Sequence, residues 1–380
     1  MRRAIVLAAL VGSAHGVAAD PWVVTGEAGT ELDSNVQRVQ DGAVDPDDPL
    51  ETVDPVTAWV MRFGARVERR GKIAGGAAAF NLSDLTRIVT DGEIAVENVS
   101  VLAGNLRWLR RVGERPVAAG FAVAAIDALP LSDNIGARTF RNLGADAVLA
   151  MQTEDEHELT LAFGVRDFTY KPDHDFDWRG PAANARLELM LWQPAAKTKA
   201  LELVTTLAFE NRGFDTTALA NDCPHEAEPD PGCSASTDIQ RRDRYQRLGV
   251  ELTWVGRQVA AIAYQITVID SNDYGQSLAR HRATLSGTAV LPLDVYGTLL
   301  AILQIDQYLE GRIVPGGPQM QEYTSIDDEN RSSVQLRLAR KLVGQWAIEG
   351  RAAIWRNLSN EPMEAEFGRE LVYLGLVYGK

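Results

Sequence analysis

Cysteine is nearly absent from this sequence, which excludes a framework of several disulfides. The two cysteines, Cys223 and Cys233, lie in the segment CPHEAEPDPGC. A single close pair in an exported chain is most simply a disulfide that closes one loop. A metal site that includes His225 is the less favoured alternative.

Long apolar runs are also absent. After the N-terminus the longest apolar stretch, residues 117–126, is ended by Asp127 at about half the roughly 20 residues that a membrane-spanning helix requires. The chain is therefore not expected to cross a membrane with helices. If it is a membrane protein, it crosses with strands.

Positive charge is scarce relative to negative charge. The N-terminus has the features of a secretion signal: Arg2 and Arg3 precede an apolar run, and small residues stand at 17–19. Removal of residues 1–19 leaves 36 basic and 52 acidic side chains in residues 20–380, a formal charge of −16. This balance argues against nucleic acid as a partner, because nucleic-acid binding needs a basic surface.

Residues suited to catalysis are few. The mature chain has four histidines, His157, His174, His225 and His281, which the strand pattern below places in turns, loops and a lipid-facing rim. No Gly-x-Ser-x-Gly elbow, zinc signature or phosphate loop occurs. The sequence therefore predicts no enzyme, no cofactor and no metal site.

What the sequence does contain is alternation of apolar and polar residues. In residues 333–343, Val334, Leu336 and Leu338 share one face while Gln335 and Arg337 share the other. A period of two predicts a strand. The same pattern recurs in approximate segments 22–33, 56–70, 73–84, 93–110, 116–129, 137–153, 157–171, 181–195, 201–212, 247–255, 257–271, 277–292, 295–311, 345–358 and 364–379.

These segments predict an all-β fold, a transmembrane antiparallel up-and-down barrel of about 16 strands, with 14 or 18 as alternatives. Its connections alternate in length, as expected for short periplasmic turns and long extracellular loops. The first tight turn is expected at Arg70-Gly71-Lys72, and the longest loop at residues 213–243. A barrel of this size leaves room for an aqueous lumen.

The predicted register assigns charged residues to that lumen. The basic ones are Arg62, Arg66, Arg166, Arg186, Arg280, Arg282, Arg337, Lys341, Arg351 and Arg369. The acidic ones include Glu27, Glu31, Asp146, Glu188, Glu202, Glu251, Asp306 and Glu349. Two interpretations follow: the arginines form a track for an anionic solute or glycan, or they pair with acids across neighbouring strands and stiffen the wall.

The register also turns Trp254, Trp346 and Tyr378 outward near the periplasmic side. There they would form part of an aromatic girdle at the membrane interface. Three unrelated core aromatics are the alternative.

Two short segments resemble known barrels. The final residues 373–380, YLGLVYGK, resemble the terminal-strand signal of Gram-negative outer-membrane proteins, although Lys380 stands where that pattern has an aromatic residue. Residues 31–38, ELDSNVQR, resemble the strand-to-loop passage of large porin-like barrels, including some that export polysaccharide. The resemblance implies location in the outer membrane, with lipid, lipopolysaccharide and the barrel assembly machinery as partners, and a periplasmic export partner if a polymer is exported.

The expected function is an outer-membrane channel for a hydrophilic or anionic solute, or for a secreted polymer such as exopolysaccharide. The alternative is a structural, adhesive or assembly-partner barrel that displays the stapled loop 213–243.

Overall fold

A closed antiparallel β-barrel is the main feature of the computed structural model. The structure describes residues 22–38, 43–44, 52–114, 116–132, 136, 138–153, 157–194, 199–222, 234–309, 331–358 and 367–379. Within these residues, sixteen strands close into the barrel, each paired with its neighbours in sequence and the first paired with the last. No helix in the described part of the chain is long and apolar enough to span a bilayer.

The barrel strands are numbered in chain order. They are β1 (Val23–Asp33), β2 (Ala58–Ile73), β3 (Gly76–Val89), β4 (Val99–Arg111), β5 (Val117–Pro130), β6 (Phe140–Gln152), β7 (Glu158–Tyr170), β8 (Trp178–Trp192), β9 (Ala200–Asn221), β10 (Ser234–Val255), β11 (Val259–Ser271), β12 (Leu278–Leu291), β13 (Val295–Tyr308), β14 (Ser332–Lys341), β15 (Trp346–Arg356) and β16 (Gly368–Gly379). Short 3₁₀ turns occur at Ala95–Glu97, His174–Phe176 and Pro292–Asp294, and a small bridge joins Ala43–Val44 to Thr52–Val53.

One end of the barrel carries the tight turns, the start of β1 and the end of β16, where Thr25 pairs with Gly379. In outer-membrane barrels the tight turns are periplasmic.

The first turn is not at 70–72, as the sequence suggested, because β2 continues to Ile73. The chain reverses at Ala74 and Gly75, whose φ angles are 50° and 77°. Two consecutive positive φ angles are what a two-residue hairpin turn requires.

The segment expected to be the longest loop, 213–243, is mostly strand. β9 and β10 each have 22 residues and pair as far as Asn221 and Ser234. Their neighbours end sooner, because β8 begins at Trp178 opposite Phe214 and β11 ends at Ser271 opposite Asp243. A two-stranded ribbon therefore extends past the barrel rim. Alternation is weak there, which explains why the sequence pattern did not predict it.

The two faces of the wall differ in polarity. On β16, Val372, Leu374 and Leu376 are exposed, while Arg369 and Tyr373 on the alternate positions are buried. The same alternation follows the pairing register around the barrel. The exterior is thus an apolar surface suited to lipid, and the polar side chains point inward.

The inner wall is packed near the long-loop end. Its apolar clusters comprise, first, Val99, Val101, Ala128, Phe140, Phe168, Tyr170, Trp178 and Phe214; second, Val36, Ala58, Val60, Val89 and Ile94; third, Ala353, Trp355, Phe367, Leu371 and Tyr373; and fourth, Tyr245, Ile269 and Leu278. Near the turn end, inward residues such as Glu251 and Lys341 are exposed. The inner wall is therefore closely packed at the long-loop end and more exposed to water at the turn end.

Candidate functional site

A buried ion-pair network fastens the seam where the first and last strands meet. Asp33 on β1 accepts hydrogen bonds from Arg369 on β16, at 2.6 to 3.1 Å. It also accepts one from Arg87 on β3 at 2.7 Å, and Arg87 donates to Glu31 at 2.7 Å. All four side chains are at most 1% exposed. Buried charges persist only when they are paired in this way.

The network continues along the wall toward the turn end. The carboxylate of Glu27 on β1 forms ion pairs with the guanidinium groups of Arg62, at 2.8 Å, and Arg351, at 2.5 Å. Arg351 also forms an ion pair with Glu349 on its own strand. Glu349 forms a second ion pair with Arg337 of β14. Glu349 is buried while Arg337 is partly exposed to the lumen. Charged groups of both signs thus form one connected wall over β14, β15, β16, β1, β2 and β3.

Further ion pairs line the rest of the lumen. They are Arg166 with Asp146, Arg186 with Glu188, Arg212 with Glu210, Arg241 with Asp243 and Asp273, Arg280 with Asp306, and Arg66 with Glu68. Several of these pairs join two residues that are two positions apart on one strand, rather than residues on neighbouring strands. Residues at that spacing share a face because the strand period is two. A guanidinium can therefore reach a carboxylate without any long-range contact.

The ten basic residues assigned to the lumen from sequence lie on the inward register. Eight of them are in the ion pairs above; the other two are Arg282, opposite Gln304 on β13, and Lys341, opposite Ala347 on β15. Of the acids, Glu202 and Glu251 both lie inward, on neighbouring strands. In the part of the chain that the structure describes, most of these lumen guanidinium groups therefore hold a carboxylate.

Sequence reasoning missed Arg87, Arg212 and Arg241. Arg87 lay beyond the expected end of its strand, and Arg241 lay in the segment taken as a loop. Arg212 stood at the end of its expected strand, one residue before that loop. The available signal was the spacing of two between a basic and an acidic residue, as in Glu210 and Arg212 or Arg241 and Asp243.

Aromatic rings on the inner wall were missed as well. Phe140, Phe168 and Trp178, on three consecutive strands, stack with ring centroids 5.9 and 5.8 Å apart. Arg212 lies between Trp178 and Tyr245, its guanidinium carbon 4.4 and 4.2 Å from the two rings. Such contacts combine cation–π attraction with packing. Only neighbouring strands bring these rings together, so no local pattern marks them.

The outward aromatics cluster near the turn end. Trp254 stacks on Trp192 at 5.7 Å, and Trp346 meets the edge of Tyr378 at 5.2 Å. Trp192 was not expected there, because a bulge between Met190 and Trp192 shifts the register of β8. The four rings stand on the apolar exterior near the turn end of the barrel.

A closed barrel with an apolar exterior and a charged interior satisfies its backbone hydrogen bonds within a bilayer and leaves no sheet edge. The fold is that of a porin-like outer-membrane β-barrel. The lipid-facing belt is suited to a bilayer that the chain crosses with strands, as barrels of this fold do in outer membranes.

Comparison with known proteins finds similarity among solved structures only. No protein-family model matches the chain, and no curated protein matches it. Among solved structures, OmpF of Salmonella typhi in complex with daunomycin matches with 9% identity and a TM-score of 0.45, over 94% of this chain and 97% of that chain. A bacterial polysaccharide outer membrane secretin matches with 7% identity and a TM-score of 0.42, over 94% and 97%. OccAB3 of Acinetobacter baumannii matches with 7% identity and a TM-score of 0.41, over 94% and 99%.

The histidines in the described residues are dispersed. The imidazole of His281 faces outward, 2.7 Å from the hydroxyl of Tyr264, and His174 contacts Asp177 at the rim. His157 lies in a periplasmic turn, where its Nδ1 accepts from the backbone of Met190. His225, Cys223 and Cys233 lie outside the described residues. No group of three metal-ligating side chains occurs in the part of the chain that the structure describes.

Proposed function

We propose that the protein, in its mature form 20–380, is a narrow passive channel for small hydrophilic solutes. The observation that carries this proposal is the inner wall, where connected Arg and acid side chains line a closed barrel whose exterior is apolar. Charged walls hold water. The packed inner clusters near the long loops argue for a small opening rather than a wide pore.

The ion pairs favour a solute of low charge over an anionic solute or a secreted polymer. A track for anions needs guanidinium groups free to form bidentate contacts with carboxylate or phosphate. Here Arg62, Arg351 and Arg280 already hold carboxylates. Weak ion selectivity follows, because the fields of paired charges largely cancel within a few ångströms.

Single-channel conductance of the refolded mature protein in a planar bilayer tests the proposal. We expect small open steps with little preference between anions and cations. Arg337→Glu changes the lumen by two unit charges, which at about 10 Å shifts the energy of a passing ion by about 0.8 kcal/mol in water, downward for a cation and upward for an anion. The cation-to-anion permeability ratio should therefore rise by about 16-fold at low salt. Lys341→Glu should act in the same direction.

Arg340→Glu provides the matched control, because Arg340 lies between those residues on β14 but faces outward. It should leave selectivity unchanged. A folded barrel that never opens, under any voltage or salt, would refute the channel. A strong anion preference that both lumen variants abolish would instead support the anionic-solute alternative.

The ribbon that extends past the rim favours a second candidate function, display of a surface for a partner. β9 and β10 continue beyond neighbouring strands toward the segment that carries Cys223 and Cys233, which we propose form a disulfide. Deleting residues 223–233 should abolish binding to whole target cells or matrix while leaving conductance steps unchanged. Loss of both, or of neither, contradicts this candidate.

A further inference from the structure

A carboxylate lies on the lipid-facing side of β3, away from both ends of the strand. Asp84 is on the outward register with Leu82 and Ile88, which are exposed and lie on either side of it along the strand. It is eight residues from Gly76 and five from Val89. At about 3.3 Å per residue and a tilt of about 40°, these separations are about 20 Å and about 13 Å along the barrel axis. Asp84 is therefore within the apolar belt.

Two hydroxyl groups contact this carboxylate from the wall. Ser100 on β4 donates a hydrogen bond to one carboxylate oxygen at 2.7 Å, and the hydroxyl of Thr86 lies 3.3 Å from the other. The two hydroxyl oxygens are themselves 3.2 Å apart. An ionised carboxylate accepts about four hydrogen bonds, and no ion pair of Asp84 occurs in the described part of the chain. Because Asp84 is partly exposed, it retains capacity to accept hydrogen bonds from a group on the membrane side.

Asp84 differs in depth from the other acids on the outer face of the described strands. These are Asp127, Asp167, Asp270 and Glu370, each within three residues of the loop end of its strand, and Asp215 and Asp238 on the ribbon past the rim. A charged side chain that faces hydrocarbon is costly at mid-depth and much less so near the membrane surface. An acid at the depth of Asp84 therefore indicates a contact with another molecule rather than a solvated surface group.

Among the described residues, no basic side chain on the barrel exterior lies at this depth. Those near the turn end are Arg69, Arg110 and Arg340, and those near the loop-end rim are Arg141, Lys171, Arg179, Arg242, Arg244, His281 and Arg356. A second copy of this chain in the same membrane orientation therefore offers no cation to Asp84. The complementary charge has to come from a different protein.

A groove of about 450 Å³ beside Asp84 lets such a partner come close to the wall. Its lining includes Gly104 on β4, Ala125 on β5 and Ala145 on β6, all small residues on the outward register. Gly104 is two residues along β4 from Leu102, the strand partner of Asp84. Small residues permit close approach between membrane-spanning segments, and polar side chains add hydrogen bonds across the contact. This face of the barrel combines both features.

We propose that the outer face of β3 to β6 binds a membrane-spanning segment of another protein, which places a lysine or arginine side chain at mid-depth. The cation pairs with Asp84 while the segment packs over Gly104 and Ala125. Ser100 and Thr86 hold the carboxylate in position through their hydroxyl groups. The contact is on the exterior and does not depend on transport through the lumen.

The test uses a synthetic leucine-rich transmembrane helix with one central lysine, and measures energy transfer between it and the refolded mature barrel in lipid vesicles. A companion helix has leucine in place of the lysine. We expect the lysine helix to bind about tenfold more tightly than the leucine helix. Asp84→Asn should remove that preference. Gly104→Leu should weaken binding of both helices, and the fold accommodates it, because a Cβ at Gly104 meets its nearest neighbour, Leu82, at 3.5 Å.

Asp270→Asn is the matched control, because Asp270 is also an outward acid but lies at the loop end of β11, on the far side of the barrel. It should leave the preference for the lysine helix unchanged. Folding of each variant is checked by its heat-dependent migration in gels. Equal binding of the two helices to the unchanged barrel overturns the proposal, and so does a preference that persists in folded Asp84→Asn. Energy transfer between differently labelled barrels that Asp84→Asn abolishes also overturns it, because the contact would then join two copies of this chain.

Discussion

Replacing Arg369 with Met should lower the free energy of unfolding by about 3–5 kcal/mol. Arg369 holds both carboxylate oxygens of Asp33 across the seam between β16 and β1, and neither side chain is exposed. The variant leaves Asp33 with Arg87 as its remaining guanidinium partner. A buried carboxylate that loses its main partner retains the cost of desolvation without the compensating attraction.

Urea-induced unfolding of the barrel in lipid vesicles measures the effect. Arg356→Met is the control, because its pair with Glu370 joins the neighbouring strands β15 and β16 at the exposed rim and should be worth at most about 1 kcal/mol. Equal losses in the two variants would show that burial of the seam pair adds nothing to stability.

Replacing Trp178 with Ala should have the second large effect, on both stability and conductance. Trp178 is 9% exposed, stacks on Phe168 and supports Arg212. Removal of a buried tryptophan costs about 3–5 kcal/mol, because the cavity fills only in part. Since this side chain is packed on the inner wall, its loss should also widen the outer part of the lumen and raise single-channel conductance.

The control for this variant is Trp59→Ala. Trp59 lies on the exterior, 56% exposed, so its removal exchanges protein–lipid contacts without opening a cavity in the wall. We expect unchanged conductance from it. If Trp178→Ala destabilises the barrel but its conductance stays at the original level, the inner aromatic wall does not limit passage.

Local pattern was sufficient for much of the fold. Alternation in segments such as 333–343 predicted strands, and it predicted the face on which Arg337 and Trp346 lie, because the strand period of two is a property of the backbone alone. Boundaries were less accurate where alternation weakens, as at the Ala-rich start of β3 or in the ribbon of β9 and β10. There the strands are defined by pairing with a neighbour, which the sequence of one segment does not contain.

The lumen chemistry divides in the same way. That Arg66 and Glu68 share a face could be read from their spacing. The ion pair between Asp33 and Arg369, 336 residues apart in the chain, could not be read in this way. It depends on closure of the barrel, because only closure makes the first and last strands neighbours.

The sequence by itself indicated about sixteen strands, the two faces of each strand and the apolar exterior, since these depend on residue type and a short period. The tertiary structure decided which charges neutralise one another and which aromatics stack on the inner wall. Those depend on the register between strands, which is set by every hydrogen-bonded pair around the closed barrel together.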